Sequence, residues 1–195
     1  MNLPNLITVL RTVFAFSAVV MLCFDGTAFM ASAAFAVYVI AGVSDFFDGY
    51  IARRCNIVTT FGKYMDSLCD KIMVVSFFMA LFAFGLFGDF TIPALFCAII
   101  SISREFVVSG IRMIASVNGV VIAAERLGKY KAAFQMYSLG AFIFAHALKL
   151  DFGADGGLIW TLAFWSGAAT LAISTLLSIL SGAGYAIKYS NLLKE

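Results

Sequence analysis

Apolar runs close to 20 residues long recur along this chain, and about 20 apolar residues are what an α-helix needs to cross the hydrocarbon layer of a bilayer. Six such segments are expected, near Ile7–Phe24, Ala28–Phe47, Asp66–Phe87, Ile92–Ala115, Ala132–Leu148 and Leu158–Ile187. The links between them are punctuated by charge or glycine, as at Asp25-Gly26, Gly88-Asp89 and Asp151-Phe152-Gly153. Composition agrees: of 195 residues, 63% are hydrophobic and 12% charged, where a soluble domain carries about a quarter charged. The expected architecture is one all-α integral membrane domain over residues 1–195, with six transmembrane helices. A net charge of +2 and the lack of a basic run with interleaved aromatics exclude a nucleic-acid partner.

The first run is read as a retained helix. It lacks a basic start, Arg11 interrupts it, and no small-residue cleavage site follows. Basic residues set the orientation. With both termini in the cytoplasm, Arg11, Arg53, Arg54, Lys63, Lys71, Arg104, Arg112, Arg126, Lys129, Lys131, Lys188 and Lys194 lie at inner ends and loops, and Lys149 lies outside. Cys23, Cys55, Cys69 and Cys97 form no CxxC pair and read as small hydrophobes. His146, near the outer end of the fifth segment, reads as structural or interfacial.

Against this background, DFFDGYIARRCNIVTTFGKYMDSLCD (residues 45–70) is anomalous. The second segment ends on Asp45 and Asp48, and the third begins with Asp66 and Asp70, so all four carboxylates fall at one cytoplasmic depth. Spacings of three and four place each pair on one helical face, and an antiparallel hairpin would turn both pairs into one gap. Four ionised carboxylates so close together repel strongly unless cations are present. Two divalent cations would balance the charge, and oxygen-only donors select magnesium or manganese.

Asp45-x-x-Asp48-Gly49-x-x-Ala52-Arg53, eight residues, then Gly62-x-x-x-Asp66-x-x-x-Asp70 resembles the signature of the CDP-alcohol phosphotransferases at every fixed position. The resemblance implies a six-helix membrane enzyme, usually a homodimer, that moves a phosphatidyl-type group from a CDP-linked lipid to an alcohol. It implies that Asp45, Asp48 and Asp66 hold the metals, with Asp70 a further ligand and the base. Gly49, Ala52, Arg53 and Gly62 would shape the CDP pocket. Small residues allow close backbone approach, and Arg53 offers a planar donor fork. Asn5, Thr8 and Arg11, about one turn apart, are candidates at the nucleotide end by the same resemblance, with capping by Asn5 and interfacial anchoring by Arg11 as alternatives.

A second polar cluster spans residues 104–131. Arg104 and Glu105 lie inside an apolar segment, Arg104 about 12 Å of helix deeper than Arg112. Charge at that depth must face a cavity or a partner. Arg104, Arg112, Lys129 and Lys131 would form a basic pocket suited to an acceptor that is itself a phosphate ester. An internal Arg–Glu pair and topological charge are the alternatives. SREFVVSGIR, GVVIAAE and GKYKAAFQM resemble the branch of the family whose acceptor is glycerol 3-phosphate. Ser67, Cys69 and Ala132 depart from that branch, and DSLCD is similar to the phosphatidylserine branch. The last two segments carry no diagnostic motif.

The expected reaction is attack of glycerol 3-phosphate on CDP-diacylglycerol at the cytoplasmic face of a bacterial-type inner or plasma membrane. Serine or inositol phosphate as acceptor is one alternative. A cation path is another, although the acidic groups gather at one depth instead of continuing across the bilayer.

Overall fold

The computed structural model describes the backbone of residues 3–24, 27–54, 60–120, 122 and 125–189, with the side chains of all of these except residues 3–8, 45–54, 60–64 and 66. The described residues form six α-helices and no strand: α1 (Leu3–Leu22), α2 (Met30–Arg54), α3 (Thr60–Ala83), α4 (Thr91–Val117), α5 (Arg126–Phe152) and α6 (Leu158–Lys188), with a 3-10 turn over Gly88–Phe90. The expected boundaries hold within a few residues at most ends. Three ends run further: α2 continues through Arg54, α3 starts at Thr60, and α5 starts at Arg126. Each extension is a polar stretch that is helical but not apolar, which a criterion of apolar length does not register.

Helix ends follow local chemistry. Past α3, Gly85 takes φ 63°, and Leu86 N–H donates to Leu81 O at 2.9 Å. Past α4, Gly119 takes φ 73°, and Val120 N–H donates to Ala115 O at 2.8 Å. Both are left-handed glycine stops that satisfy otherwise orphaned carbonyls. Pro93 falls in the first turn of α4, where its missing N–H costs nothing.

Around the bundle the neighbours run α1, α2, α5, α6, α4, α3 and back to α1, with α3 also touching α5 across the middle. The aromatic core includes Tyr38, Phe77, Phe87, Phe142 and Phe164, with Tyr38–Phe77 and Phe87–Phe142 centroids each 4.7 Å apart. Close approach of α2 to α5 depends on Gly140, where a Cβ would lie 2.8 Å from Tyr38 Cε1. The Tyr38 hydroxyl donates to Met136 O on the same helix at 2.6 Å. Small residues likewise set the α5–α6 contact: a Cβ on Gly167 would lie 3.2 Å from Ala141 Cβ, and Ser138 Oγ donates to Gly167 O at 2.8 Å. Helices that gain little from hydrophobic association pack through such small, hydroxyl-bearing faces. At the far end of the bundle from the start of α5, Asp151 Oδ2 accepts from Ser32 N–H at 2.7 Å and from Ser32 Oγ at 2.5 Å.

Candidate functional site

The signature aspartates fall on two helices, Asp45 and Asp48 in the last part of α2, Asp66 and Asp70 in the first part of α3. The side chains of Asp45, Asp48 and Asp66 lie outside the described residues, as do those of Asn5, Thr8, Ala52 and Arg53. Gly49 and Gly62 are placed in α2 and α3 by backbone alone. Asp70 is described. Its Oδ1 lies 3.0 Å from Arg11 Nη2, and its side chain is 49% exposed while that of Arg11 is 1% exposed. A buried guanidinium on α1 therefore holds a carboxylate that still faces open space.

That space is a cavity of about 520 Å³. Asp70, Arg104, Arg112, Lys129 and Lys131 all line it, so one chamber brings the end of the aspartate signature together with the expected basic pocket. Met73, Val74, Ile102 and Met136 line it as well, so the chamber has both polar and apolar lining.

Within the cluster the charges are distributed in a specific way. Glu105 Oε1 accepts from Lys131 Nζ at 2.8 Å and lies 3.5 Å from Arg104 Nη1. Lys131 has a buried side chain, and Glu105 keeps 29% exposure. A buried ammonium needs such a partner. The ammonium of Lys131 is thus already engaged, while Lys129 is exposed. Arg104 and Glu105 do make an internal contact, and both still line the cavity.

Residues outside the expected site hold its arginines, and one of them, Tyr185, also lines the cavity. Arg104 Nε donates to Ser181 Oγ at 3.1 Å, and Arg112 Nη2 donates to the Tyr185 hydroxyl at 2.8 Å. Both partners come from α6, a segment without a diagnostic motif. A usable signal was present: Ser174, Ser178, Ser181 and Tyr185 recur at helical spacing in an apolar segment, and all four are buried. Gln135, one turn beyond Lys131, also lines the cavity, and among the described residues its buried Nε2 has no hydrogen-bond partner.

His146 stands about 22 Å of helix from Lys131, in a second cavity of about 560 Å³ that holds the Lys149–Asp155 pair at 3.0 Å. Cys23, Cys69 and Cys97 are free thiols.

The model of the CDP-alcohol phosphatidyltransferase family matches residues 1–179. The chain is 32% identical over 184 residues to the CDP-diacylglycerol–glycerol-3-phosphate 3-phosphatidyltransferase of Rickettsia typhi, covering 94% of each chain. It is 40% identical over 107 residues to the Bacillus subtilis protein of the same name, covering 55% of this chain and 52% of the relative. The Cereibacter sphaeroides protein of that name is 26% identical over 219 residues, covering 100% of this chain and 98% of the relative. The chain belongs to the CDP-alcohol phosphatidyltransferase family and is an enzyme of that type.

Proposed function

We propose that this enzyme transfers the phosphatidyl group of CDP-diacylglycerol to glycerol 3-phosphate, giving phosphatidylglycerophosphate and CMP. One observation carries the reading: Asp70 of the signature opens into the same chamber as two arginines, Arg104 and Arg112, and three lysines, Lys71, Lys129 and Lys131. The names of the relatives specify the same donor and acceptor.

The acceptor's phosphate fits the guanidinium side of the chamber, where charge-assisted forks match its geometry. This would direct the acceptor hydroxyl towards Asp70. That hydroxyl attacks the phosphorus bearing diacylglycerol and gives its proton to Asp70. The bond from that phosphorus to the oxygen of the CMP phosphate breaks, and CMP leaves with the electron pair. Two divalent cations would be held by Asp45, Asp48, Asp66 and Asp70, and Asp70 fits as one of these oxygen donors because its carboxylate is half exposed to the chamber. Magnesium or manganese so bound would supply charge neutralisation at the pyrophosphate. Gly49, Ala52, Arg53 and Gly62, with Asn5 and Thr8, would accommodate the CDP end.

The reading includes six crossings of a bacterial-type inner or plasma membrane, a cytoplasmic active site and termini, contact with membrane lipids, and a homodimer. Two stretches, Gly88–Val117 and Leu158–Lys188, are long and apolar enough to cross a bilayer. Their outward faces carry Ile92, Phe96, Met113, Leu162, Leu176 and Leu180, each more than half exposed, while their inward faces carry Ser101, Ser174 and Ser178. Apolar outside and polar inside is the distribution that lipid favours.

Release of CMP by purified protein in detergent, without any membrane gradient, tests the reaction class. Asp70→Asn should abolish release while retaining metal-dependent binding of CDP-diacylglycerol. Full release by that variant would remove Asp70 from the reaction.

A further inference from the structure

Ser181 and Tyr185 lie one turn apart on α6 and hold the two arginines of the chamber, yet the reaction as set out assigns them nothing. Ser181 Oγ donates to Ser178 O at 3.3 Å. Its hydrogen is committed to its own helix, which leaves its lone pairs for Arg104 Nε at 3.1 Å. The Tyr185 hydroxyl accepts from Arg112 Nη2 at 2.8 Å and from the Glu125 backbone N–H at 3.4 Å. Its ring is fully buried, with Arg112 Cζ 5.5 Å and Arg104 Cζ 5.9 Å from the centroid. One aromatic ring thus lies within cation–π reach of two guanidiniums whose mutual repulsion would otherwise splay them.

The backbone is cut to the same purpose. A Cβ on Gly182 would lie 3.1 Å from Arg104 Cγ, and one on Gly128 would lie 3.3 Å from Arg104 Nη2. The Arg104 side chain therefore runs through a slot that two glycines keep open, and its fork ends against the first turn of α5. That turn starts at Glu125 without a side-chain cap, so its N–H groups add positive potential there. Among the described residues, the buried Nε of Arg112 has no hydrogen-bond partner. Glu105 and Glu125 also line this cavity, but each is paired with a cation, Glu105 with Lys131 and Glu125 with Lys188, so two held guanidiniums and a buried unpaired donor remain to receive a phosphate dianion.

We propose that Ser181 and Tyr185 are positioning residues that hold Arg104 and Arg112 as a preformed clamp for the acceptor's phosphate, so that α6 sets the affinity for a phosphorylated alcohol. The inference rests on the acceptor reading above. Rotamer-rich arginines lose conformational freedom when they close on an anion, and fixing them beforehand removes that cost from binding.

The test uses the full-length enzyme in detergent with magnesium and CDP-diacylglycerol. Steady-state constants are measured for Tyr185→Phe, Tyr185→Leu, Ser181→Ala and Gly182→Val beside Arg112→Ala. Tyr185→Phe and Ser181→Ala should each raise KM for glycerol 3-phosphate about three- to tenfold, with KM for the CDP-lipid moving less than about twofold. Competitive inhibition by inorganic phosphate should weaken in parallel. Tyr185→Leu, which also removes the ring, should weaken it further, and Gly182→Val should do the same by displacing Arg104. A merely structural role would move both KM values, kcat and thermal stability together and leave phosphate inhibition intact.

An unchanged KM for glycerol 3-phosphate in Tyr185→Phe and Ser181→Ala, beside a raised one in Arg112→Ala, overturns the inference and leaves the acceptor reading standing. If Arg112→Ala also leaves that KM unchanged, the acceptor reading fails and the inference fails with it. Should the leucine or valine variant not fold, the phenylalanine and alanine variants, which remove one oxygen each, decide the matter.

Discussion

Arg11 Nη2 on α1 lies 3.0 Å from Asp70 Oδ1 on α3, a buried guanidinium against a half-exposed carboxylate. The pair ties the first helix to the last position of the aspartate signature. Because Arg11 is enclosed and cannot follow solvent, it restricts where Asp70 can point. On the proposed role of Asp70 as a metal ligand, a partner such as Arg11 contributes about 10- to 100-fold to metal affinity or activity. Arg11→Met, which keeps most of the buried volume, should lower turnover about tenfold or more and raise the magnesium concentration for half-maximal activity. CMP release across a magnesium titration reads both effects. An unaltered magnesium dependence would mean that other contacts place Asp70.

Arg104→Ala and Arg112→Ala should each raise KM for glycerol 3-phosphate about 10- to 100-fold, the loss of a charge-assisted hydrogen bond. KM for the CDP-lipid should move far less. The reverse pattern, measured in the same assay, would assign these arginines to the nucleotide.

Glu105 stands 2.8 Å from a lysine whose side chain is 2% exposed. Removing one member of such a pair strands the other. Glu105→Gln should lower stability by about 2–3 kcal/mol, less than a fully enclosed pair loses because Glu105 keeps partial exposure. Glu105→Gln combined with Lys131→Met should recover much of that loss, since no charge is then left buried alone. Thermal unfolding of the single and double variants in detergent provides the comparison. Strictly additive losses would mean that the two residues are not coupled.

Gly140 and Gly184 form a contrast in packing. A Cβ on Gly140 would lie 2.8 Å from the Tyr38 ring, while one on Gly184 meets nothing within 4 Å. Gly140→Ala should therefore cost about 1–3 kcal/mol by forcing α2 and α5 apart. Gly184→Ala should be neutral or slightly stabilising, as alanine is the better helix former. Melting temperatures of the two variants test this directly, and equal shifts would contradict it.

Much of this fold was legible because apolar length leaves a chain few options, and the six helices sit near where their apolar runs lie. Less legible were the helix extensions, where GKYK before Ala132 and the TFGKY stretch before Met65 continue a helix in polar residues. The spacing of Asp45, Asp48, Asp66 and Asp70 could be read as helical faces, and those positions do fall in α2 and α3. Contacts between distant residues could not. Nothing in the order of residues announces that Lys131 meets Glu105, 26 positions earlier, or that Arg11 meets Asp70. Tyr185 escaped notice for another reason. A tyrosine near the end of an apolar helix looks like an interfacial anchor, and only the packing of α6 against α4 turns it towards Arg112.

Which alcohol accepts the phosphatidyl group is decided by offering the enzyme one acceptor at a time. Purified enzyme is given CDP-diacylglycerol and magnesium with glycerol 3-phosphate, serine or inositol phosphate in turn, and CMP and lipid products are measured. Glycerol 3-phosphate should give CMP and phosphatidylglycerophosphate in equal amounts, and the others negligible product. Turnover with serine or inositol phosphate and none with glycerol 3-phosphate would contradict it.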